Sequence, residues 1–480
     1  MVLIFGTRLL DGFNLITLLD ATKFSGVQVM KSLLLLIVLT SLTFSQSVLV
    51  VDSAGAGDYT TITAAITAAT AGDTIKVLKG TYTGQHSVSK NLNLVASDTT
   101  AIVNVTGNDF VVGADCLIQG FKIIGTFRVT SGTSRIQNNV FEDGYVWMDV
   151  TSGYFTNNIS RSSDGSSTFG KNSSASTLIV SGNHFSRQLA DAHTNEIVEI
   201  YNYVLFKNNT VITSDLNFSK GVEVHTSGIL VNNNISNGSY AISVKKEGVK
   251  IVGNNINNTN TGIIVTSGVD SVEILGNIFD NVSGFGVNFN SAGASTPYSA
   301  WKINNNVFKS SGDILYNNSS NAFSYLSFKN NVIYDCDNIF RSSSTVFDLQ
   351  TLNSTIENNI IYDSNGSALL NNFTGNMNYS IHNTLTISGT GNLTADPLLN
   401  DPSTNDFSLQ GGSSSNNTGN PDVYSYDLDR TRNDMGIYGG SHNWNNYNGI
   451  SGPRVFSLKL SSLRVIQGNS PTITAEGVSN

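Results

Sequence analysis

Charge is scarce in this chain of 480 residues: Asp, Glu, Lys and Arg together make up 13%. Acid outweighs base, 35 residues to 26, for a net charge of −9 and a pI near 5.1. No basic run occurs anywhere along it. A protein that follows a phosphate backbone needs a basic footprint, so nucleic acid is excluded as a main partner. Only two cysteines, Cys116 and Cys336, and six prolines are present. Two cysteines make no disulfide scaffold and say nothing about compartment. The place of the missing charge is taken by Ser, Thr, Asn and 44 Gly, the surface of a turn-rich all-β protein. At 39% hydrophobic, the chain is long enough for an extended core.

What is present is a repeat. Ten times an apolar residue is followed three positions later by Asn. The apolar members are Ile136, Phe155, Val180, Phe206, Val231, Val252, Ile274, Ile303, Phe328 and Ile356. The Asn members are Asn139, Asn158, Asn183, Asn209, Asn234, Asn255, Asn277, Asn306, Asn331 and Asn359. Their mean spacing is about 24 residues, within the period of repeat architectures. Residues just after the Asn, such as Val140-Phe141, Ile278-Phe279 and Ile360-Ile361, favour strand. No helical pattern of about ten residues fits between successive Asn residues, which excludes leucine-rich and ankyrin-type repeats. One coil of a parallel β-solenoid remains, with neighbouring coils about 4.8 Å apart. Equivalent Asn side chains then stack, each carboxamide bonding the next. Buried amides are tolerable only when paired, so the column also sets the register. Cys116 and Cys336 fall about nine coils, or about 43 Å, apart. A disulfide needs Cα atoms within about 7 Å, so both are read as small, buried, free thiols.

Taken in order, residues 1–29 fit poorly with the remainder of the chain. Lys31 and the apolar run Ser32 to Leu42, with Thr43-Phe44-Ser45 after it, have the form of a signal peptide over 30–45. Met30 is then the expected initiator and 1–29 a mis-assigned upstream extension. After cleavage no stable transmembrane segment is expected; were the run internal, it would act as an uncleaved anchor, although it is short for a span, and either way the bulk is exported. A strand comes next at Val48-Leu49-Val50-Val51. Tyr59 to Ala71 then places Ile62, Ala65, Ile66 and Ala69 at helical spacing, a cap of about three turns over the open first coil. Gly72-Asp73-Thr74 leads into the strand Ile75 to Leu78.

The stretch Asp58-Tyr59-Thr60-Thr61-Ile62, Ala65-Ile66, Gly72-Asp73-Thr74-Ile75 and Gly80-Thr81-Tyr82 resembles the entry segment of right-handed parallel β-helix proteins of the pectate-lyase-like superfamily. The later Asn-β-branched repeats are similar to their parallel β-helix repeats. The resemblance implies an all-β, right-handed parallel β-helix over 46–395, Gly120 in the ladder position of an early coil, and a secreted or cell-surface, bacterial protein. It implies lyases, hydrolases, esterases or epimerases of polysaccharides, and also adhesins with no chemistry. Residues 396–450, with Asp427-Leu428-Asp429 and Arg432 to Gly440, resemble a closing cap. Their acidic cluster lacks the alternating ligand loop of a Ca²⁺ site and reads as a cap turn. From 451 to 480, Val455 to Leu460 and Pro471 to Ala475 alternate as strands of a further β module that begins there.

Outward side chains of a solenoid form columns, one residue per coil. The strand positions align Glu199, Glu223, Ser243, Ile264 and Asn288 in one column. Tyr201, His225, Lys245, Thr266 and Asn290 form the next. Asp191, His193 and Glu196 lie in the loop just before, and Lys246 and Glu247 just after. Glu199, Glu223, His225 and Lys245 are the candidate catalytic residues; Tyr201, Asp191, His193 and Lys246 are the candidate substrate contacts. In a β-elimination, Lys245 or His225 takes the proton α to a uronate carboxylate, and Glu199 with Glu223 can hold Ca²⁺ through oxygen; no metal is assigned. In a hydrolysis, the two carboxylates act as acid and base or nucleophile, and a separation of roughly 5–5.5 Å corresponds to retention. The same residues also make ordinary cross-strand pairs on a solvated face. His184, beside Asn183, reads as packing. The Lys/Arg signatures of characterised lyases and the paired-Asp motif of hydrolases are both absent. Two functions fit: a polysaccharide lyase or glycoside hydrolase acting on an extracellular or cell-surface glycan, or a non-catalytic adhesive solenoid.

Overall fold

The computed structural model describes residues 46–97, 99–150, 152–163, 168–171, 177–187, 196–201, 203–266, 268–269, 271–290, 300–318, 325–342, 347–348, 354–364, 373–374, 376–441, 443–446, 454–460 and 473–478. The leader-like segment 1–45 lies outside them. Among them, no helix is long and apolar enough to cross a membrane.

The chain from Val48 coils as a parallel β-helix. One face is a 14-stranded sheet that runs from Val48–Val51 to Thr355–Glu357. In the coil at Asn139 this first face is Thr133–Gln137, the second is Val140–Glu142 and the third is Val146–Met148. In later coils the second and third faces join in one long strand, such as Thr210–Val224, with register shifts at the bend between Ile212 and Lys220.

Alternation along the first face sends one apolar residue per coil inward. The column reads Ile136, Phe155, Val180, Phe206, Leu230, Ile251, Ile274, Ile303, Phe328 and Ile356, and every member is buried. Rings from different faces meet in the core: Phe110, Phe127, Phe141 and Phe155 have successive centroids 5.3, 5.2 and 5.7 Å apart, the first pair edge-on. Such ring–ring contacts add to burial.

The turn after the first face holds the Asn column. Its buried members are Asn139, Asn158, Asn183, Asn209, Asn233, Asn254, Asn277, Asn306, Asn331 and Asn359. Each Oδ1 from Asn158 onward accepts both the backbone N–H and the Nδ2 of the coil before, as Asn277 does from Asn254 at 2.8 and 2.9 Å. Each Nδ2 also donates to a carbonyl of the preceding coil, as Asn277 does to Ile251 at 2.8 Å. The residue before each ladder Asn is left-handed: Asn138, Asn157, Gly182, Asn208, Asn232, Gly253, Gly276, Asn305, Asn330 and Asn358. Asn and Gly tolerate that conformation best.

Two expected members are corrected. Asn234 and Asn255 are exposed and belong to the start of the second face. The inward residues of those coils are Leu230 and Ile251, not Val231 and Val252, so the column shifts by one. Gly120 is corrected too: it takes the left-handed position (φ 85°), and Phe121 stands in the ladder place, its N–H donating to Asn139 Oδ1 at 3.0 Å.

The entry helix is shorter than the spacing implies, spanning Ile62–Ala68. Thr61 caps it by accepting from Ala64 N, and Ile62, Ala65 and Ile66 join the core. Asp73 Oδ2 takes both Thr70 N and Oγ1, at 2.7 and 2.9 Å, which pulls the chain into a turn. Lys90 then supplies the donors that the helix end needs, bonding the carbonyls of Ile66, Thr67 and Ala69.

At the other end, Leu393–Thr394 makes the last parallel pairing, with Ile381–His382. The chain then folds back. Leu399–Asp401 and Asp406–Leu409 form a hairpin, and Leu399, Phe407, Met435, Ile437 and Trp444 cover the outer side chains Val307, Val332, Ile360 and Ile381 of the second face. The segment thus covers a flank of the second face. The left-handed Asn residues of the last coils grip it: Asn305 Nδ2 donates to the carbonyls of Ile437 and Gly439, and Asn330 Nδ2 to Asn433 Oδ1, Asp434 O and Gly436 O. Farther on, Arg454–Leu460 and Ile473–Val478 pair antiparallel.

The folded-back segment carries a pH-sensitive contact. Asp427 accepts from Gly440 N at 2.5 Å and Asp434 N at 3.0 Å. Burial, with the charges of Asp434 and Asp429, raises its pKa from the ordinary 3.8 to about 6. A pKa raised on folding stabilises fully below the unfolded value and is lost as pH rises through the folded one. Exchange of the Gly440 and Asp434 amides, corrected for intrinsic rates, should therefore accelerate as pH rises from 3.8 through about 6. Asp427→Asn should flatten that rise; an unchanged slope would contradict the assignment.

Both cysteines are free and buried. Burial raises both thiol pKa values, that of Cys336 up to about 12. A thiol reagent at neutral pH should label neither in the native protein and both after denaturation. Failure to label both in denaturant without reductant would mean a bridge.

Candidate functional site

The first outward column is in register as the strand alignment requires. Glu199 pairs with Glu223, Glu223 with Ser243, Ser243 with Ile264 and Ile264 with Asn288. The column extends in both directions, back through Gly170 and Trp147 and on to Tyr316 and Arg341. Val222, Val224, Ile242 and Val244 point inward and are fully buried. The outward residues are nearly buried as well: Glu223 is 7% exposed, Ser243 3%, Ile264 7% and Asn288 8%. They form a nearly buried stripe, the trough, beside the more exposed side chains of Tyr201, His225 and Lys245.

Glu223 is the centre of the cluster. His225 Nε2 lies 2.7 Å from its Oε1 and Lys245 Nζ 3.3 Å from its Oε2. His225 Nε2 and Glu223 Oε2 make no aligned hydrogen bond, so the pairing rests on close approach. Burial alone would raise the Glu223 pKa. The His225 contact and the Lys245 charge outweigh it and hold the carboxylate at about 2. This clamp stabilises above the ordinary 4.5 and is lost as pH falls toward 2.

The remaining candidates gather around it unevenly. Tyr201 stacks on His225, centroids 4.1 Å apart and planes 11° from parallel. Burial raises the Tyr201 hydroxyl pKa, and the charge of Glu199 and a hydrogen bond to it add to the rise. Lys246 is exposed in the bend after Lys245. Asp191 and His193 lie outside the described residues. His184 sits at the start of the second face, paired with Ile159 and Thr210, away from the trough. Among the described residues, no three His, Cys, Asp or Glu side chains converge as a metal ligand set. For Ca²⁺ between Glu199 and Glu223, the Glu223 oxygens already face His225 and Lys245.

Three members were not found from sequence. Lys220 pairs with Glu196 at 2.5 Å. Burial pulls its pKa down, but the hydrogen bond and charge of Glu196 outweigh this and the net shift is upward. Alternation could not have found Lys220, which has the parity of the inward Val222; its place beside Glu196 follows from the cross-coil register. Tyr145 lies one coil earlier and stands over Gly170, where a Cβ would overlap its hydroxyl. That hydroxyl is buried without a hydrogen-bond partner, and burial, then the nearby Glu199, Tyr201 and Glu196, raises its pKa. Trp147 packs against it at 5.3 Å. No sequence pattern announces that a glycine one coil on makes room for a tyrosine.

No known protein family matches the chain, and no curated protein matches it. Among solved structures, it is similar to a PL6-family polysaccharide lyase from Pseudopedobacter saltans: 15% identity, TM-score 0.40, covering 74% of this chain and 96% of that one. It is similar to the catalytic unit of a thermostable GH87 α-1,3-glucanase from Streptomyces thermodiastaticus, with 14% identity, TM-score 0.38, and 68% and 64% coverage. A PL6-family alginate lyase shows 12% identity and a TM-score of 0.38, with 81% and 58% coverage.

Proposed function

We propose that this chain binds an extracellular polysaccharide along the third-face trough and cleaves it by β-elimination at a uronate. The observation that carries this reading is Glu223, buried in the trough and held between His225 and Lys245. Two-carboxylate hydrolysis needs one acid that keeps its proton, and Glu223 is held ionised by its contact with His225 and the charge of Lys245. Elimination needs a cationic group beside the substrate carboxylate and a base near the α proton. Lys245 is the cation and His225 the base, while Lys220 is bonded to Glu196 earlier on the strand.

The uronate carboxylate would draw on the Lys245 ammonium that Glu223 holds in the free protein. His225, from its neutral form, takes the α proton. The freed electron pair forms a carbon–carbon double bond, the β carbon–oxygen bond breaks, and the leaving oxygen takes a proton. Water supplies that last proton, since the Tyr145 hydroxyl lies over Gly170, coils away from His225 and Lys245. Tyr201 gives a sugar ring an aromatic surface. Export follows from the leader-like run Lys31 to Leu42.

One observation favours the second reading, a non-catalytic surface solenoid. Similar charge ladders occur away from the trough, such as Lys250–Glu273–Lys302 and Lys122–Glu142–Arg161. The two are separated by incubating the full chain with a panel of polyuronates and following the ultraviolet absorbance of the unsaturated product. Product from one polyuronate supports elimination. New reducing ends without that absorbance point to hydrolysis, and an inert panel favours the structural solenoid.

A further inference from the structure

The folded-back C-terminal segment builds a second groove on a different face. It has a volume of about 390 Å³ and lies between the outer side of the first face and the wall formed by the 424–441 stretch. Glu273, Lys302, Lys329 and Glu357 line its floor over four coils, with Tyr325 and Tyr424 beside them.

The charges on the floor cancel in pairs. Lys302 Nζ is 2.7 Å from Glu273 Oε1, and Lys329 Nζ is 2.8 Å from Glu357 Oε1. Glu357 Oε2 also accepts from Asn420 Nδ2 at 2.7 Å. Burial would raise the Glu273 pKa, but its bonds to Lys302 and Lys250 bring it below the ordinary value, so the floor stays ionised and paired. Fixed pairs of this kind present donors and acceptors side by side and no net charge. An anion gains nothing there, and an apolar side chain finds no apolar pocket. A hydroxyl, which both donates and accepts, is matched to them.

The wall adds what a sugar ring needs. Tyr424 lines the groove and is 91% exposed, and its neighbours Val423 and Leu428 are 65% and 58% exposed. Exposed apolar groups gathered beside a polar groove mark an interaction site. Asn305, Asn330 and Asn358 pin the wall to the coil, so the groove is formed before a ligand arrives.

We propose that this groove is a saccharide-binding site for a neutral, hydroxyl-rich glycan chain, separate from the third-face trough. It does not depend on the reaction proposed for that trough. The test is calorimetric titration of the full chain with soluble neutral glucans and mannans and with a polyuronate, at low and high ionic strength. The expected result is binding of at least one neutral polysaccharide, unchanged by salt because no net charge is engaged. Tyr424→Ala should weaken it by about tenfold, the typical scale for losing an aromatic contact at a binding centre. Tyr424 is exposed, so the variant is expected to fold; Tyr201→Ala in the other trough should leave neutral-glycan binding unchanged. The proposal is overturned if no neutral glycan binds, if Tyr424→Ala binds as well as wild type, if Tyr201→Ala abolishes the binding, or if binding is confined to the polyuronate and vanishes in salt.

Discussion

Asn233→Ala should destabilise the protein by about 3–5 kcal/mol, whereas Asn234→Ala should cost under about 0.5 kcal/mol. The two residues are adjacent and chemically identical, and only their place in the coil differs. Asn233 Oδ1 accepts from Asn209 N and Nδ2 at 2.9 and 3.1 Å, and its Nδ2 donates to Phe206 O and Asn254 Oδ1, both at 2.9 Å. Alanine leaves the Asn209 N–H and the Phe206 carbonyl without partners where water does not reach. Asn234 is exposed, and its Oδ1 accepts only from Asn255 and Asn257 at 3.4 and 3.0 Å. Denaturant titration of both variants, compared by midpoint because long repeats need not unfold in two states, checks the assignment. Equal losses would place the buried column one residue away from where it is described.

The second large effect concerns chemistry. If elimination occurs in the trough, Lys245→Ala and His225→Ala should each lower turnover roughly 10²–10⁴-fold, the range for losing a positioned charge-stabilising or proton-transfer group. Each should also cost some stability, since either change leaves the nearly buried Glu223 carboxylate short of a partner. Turnover would be read as the rate of unsaturated product formation, and folding by the thermal midpoint. Glu223→Gln tests the clamp separately: it keeps the shape of the side chain and removes the charge that faces His225 and Lys245. Its rate should fall and the pH profile of its residual activity should shift. Full activity in Lys245→Ala and His225→Ala would remove the trough from the reaction.

The register error at two coils shows how far periodicity reaches. In Leu230-Val231-Asn232-Asn233-Asn234, two apolar residues precede three Asn residues, so two frames satisfy the same spacing. Only burial chooses between them, and it chooses Leu230 and Asn233. In the other coil a local clue existed. Gly182 and Gly276 stand just before ladder residues in the left-handed position, and Gly253 marks Asn254 in the same way. The outward column from Glu199 to Asn288 was legible because a strand repeats its faces every two residues. The place of Tyr145 over Gly170 was not, since it depends on volume between coils.

The coil, its ten-residue Asn column in all but two positions and the gathering of Glu199, Glu223, His225 and Lys245 were therefore written in the chain itself. Period and alternation are local properties, and a solenoid turns them directly into columns. The clamp on Glu223, the trough around it and the groove beneath Tyr424 were settled only in three dimensions. The groove depends on Asn330 meeting Asn433 and Asn420 meeting Glu357, residues 103 and 63 positions apart. Nothing in a repeat tells where a non-repeating tail will land, because that is fixed by which outer side chains it can cover and which spare amides it can bond.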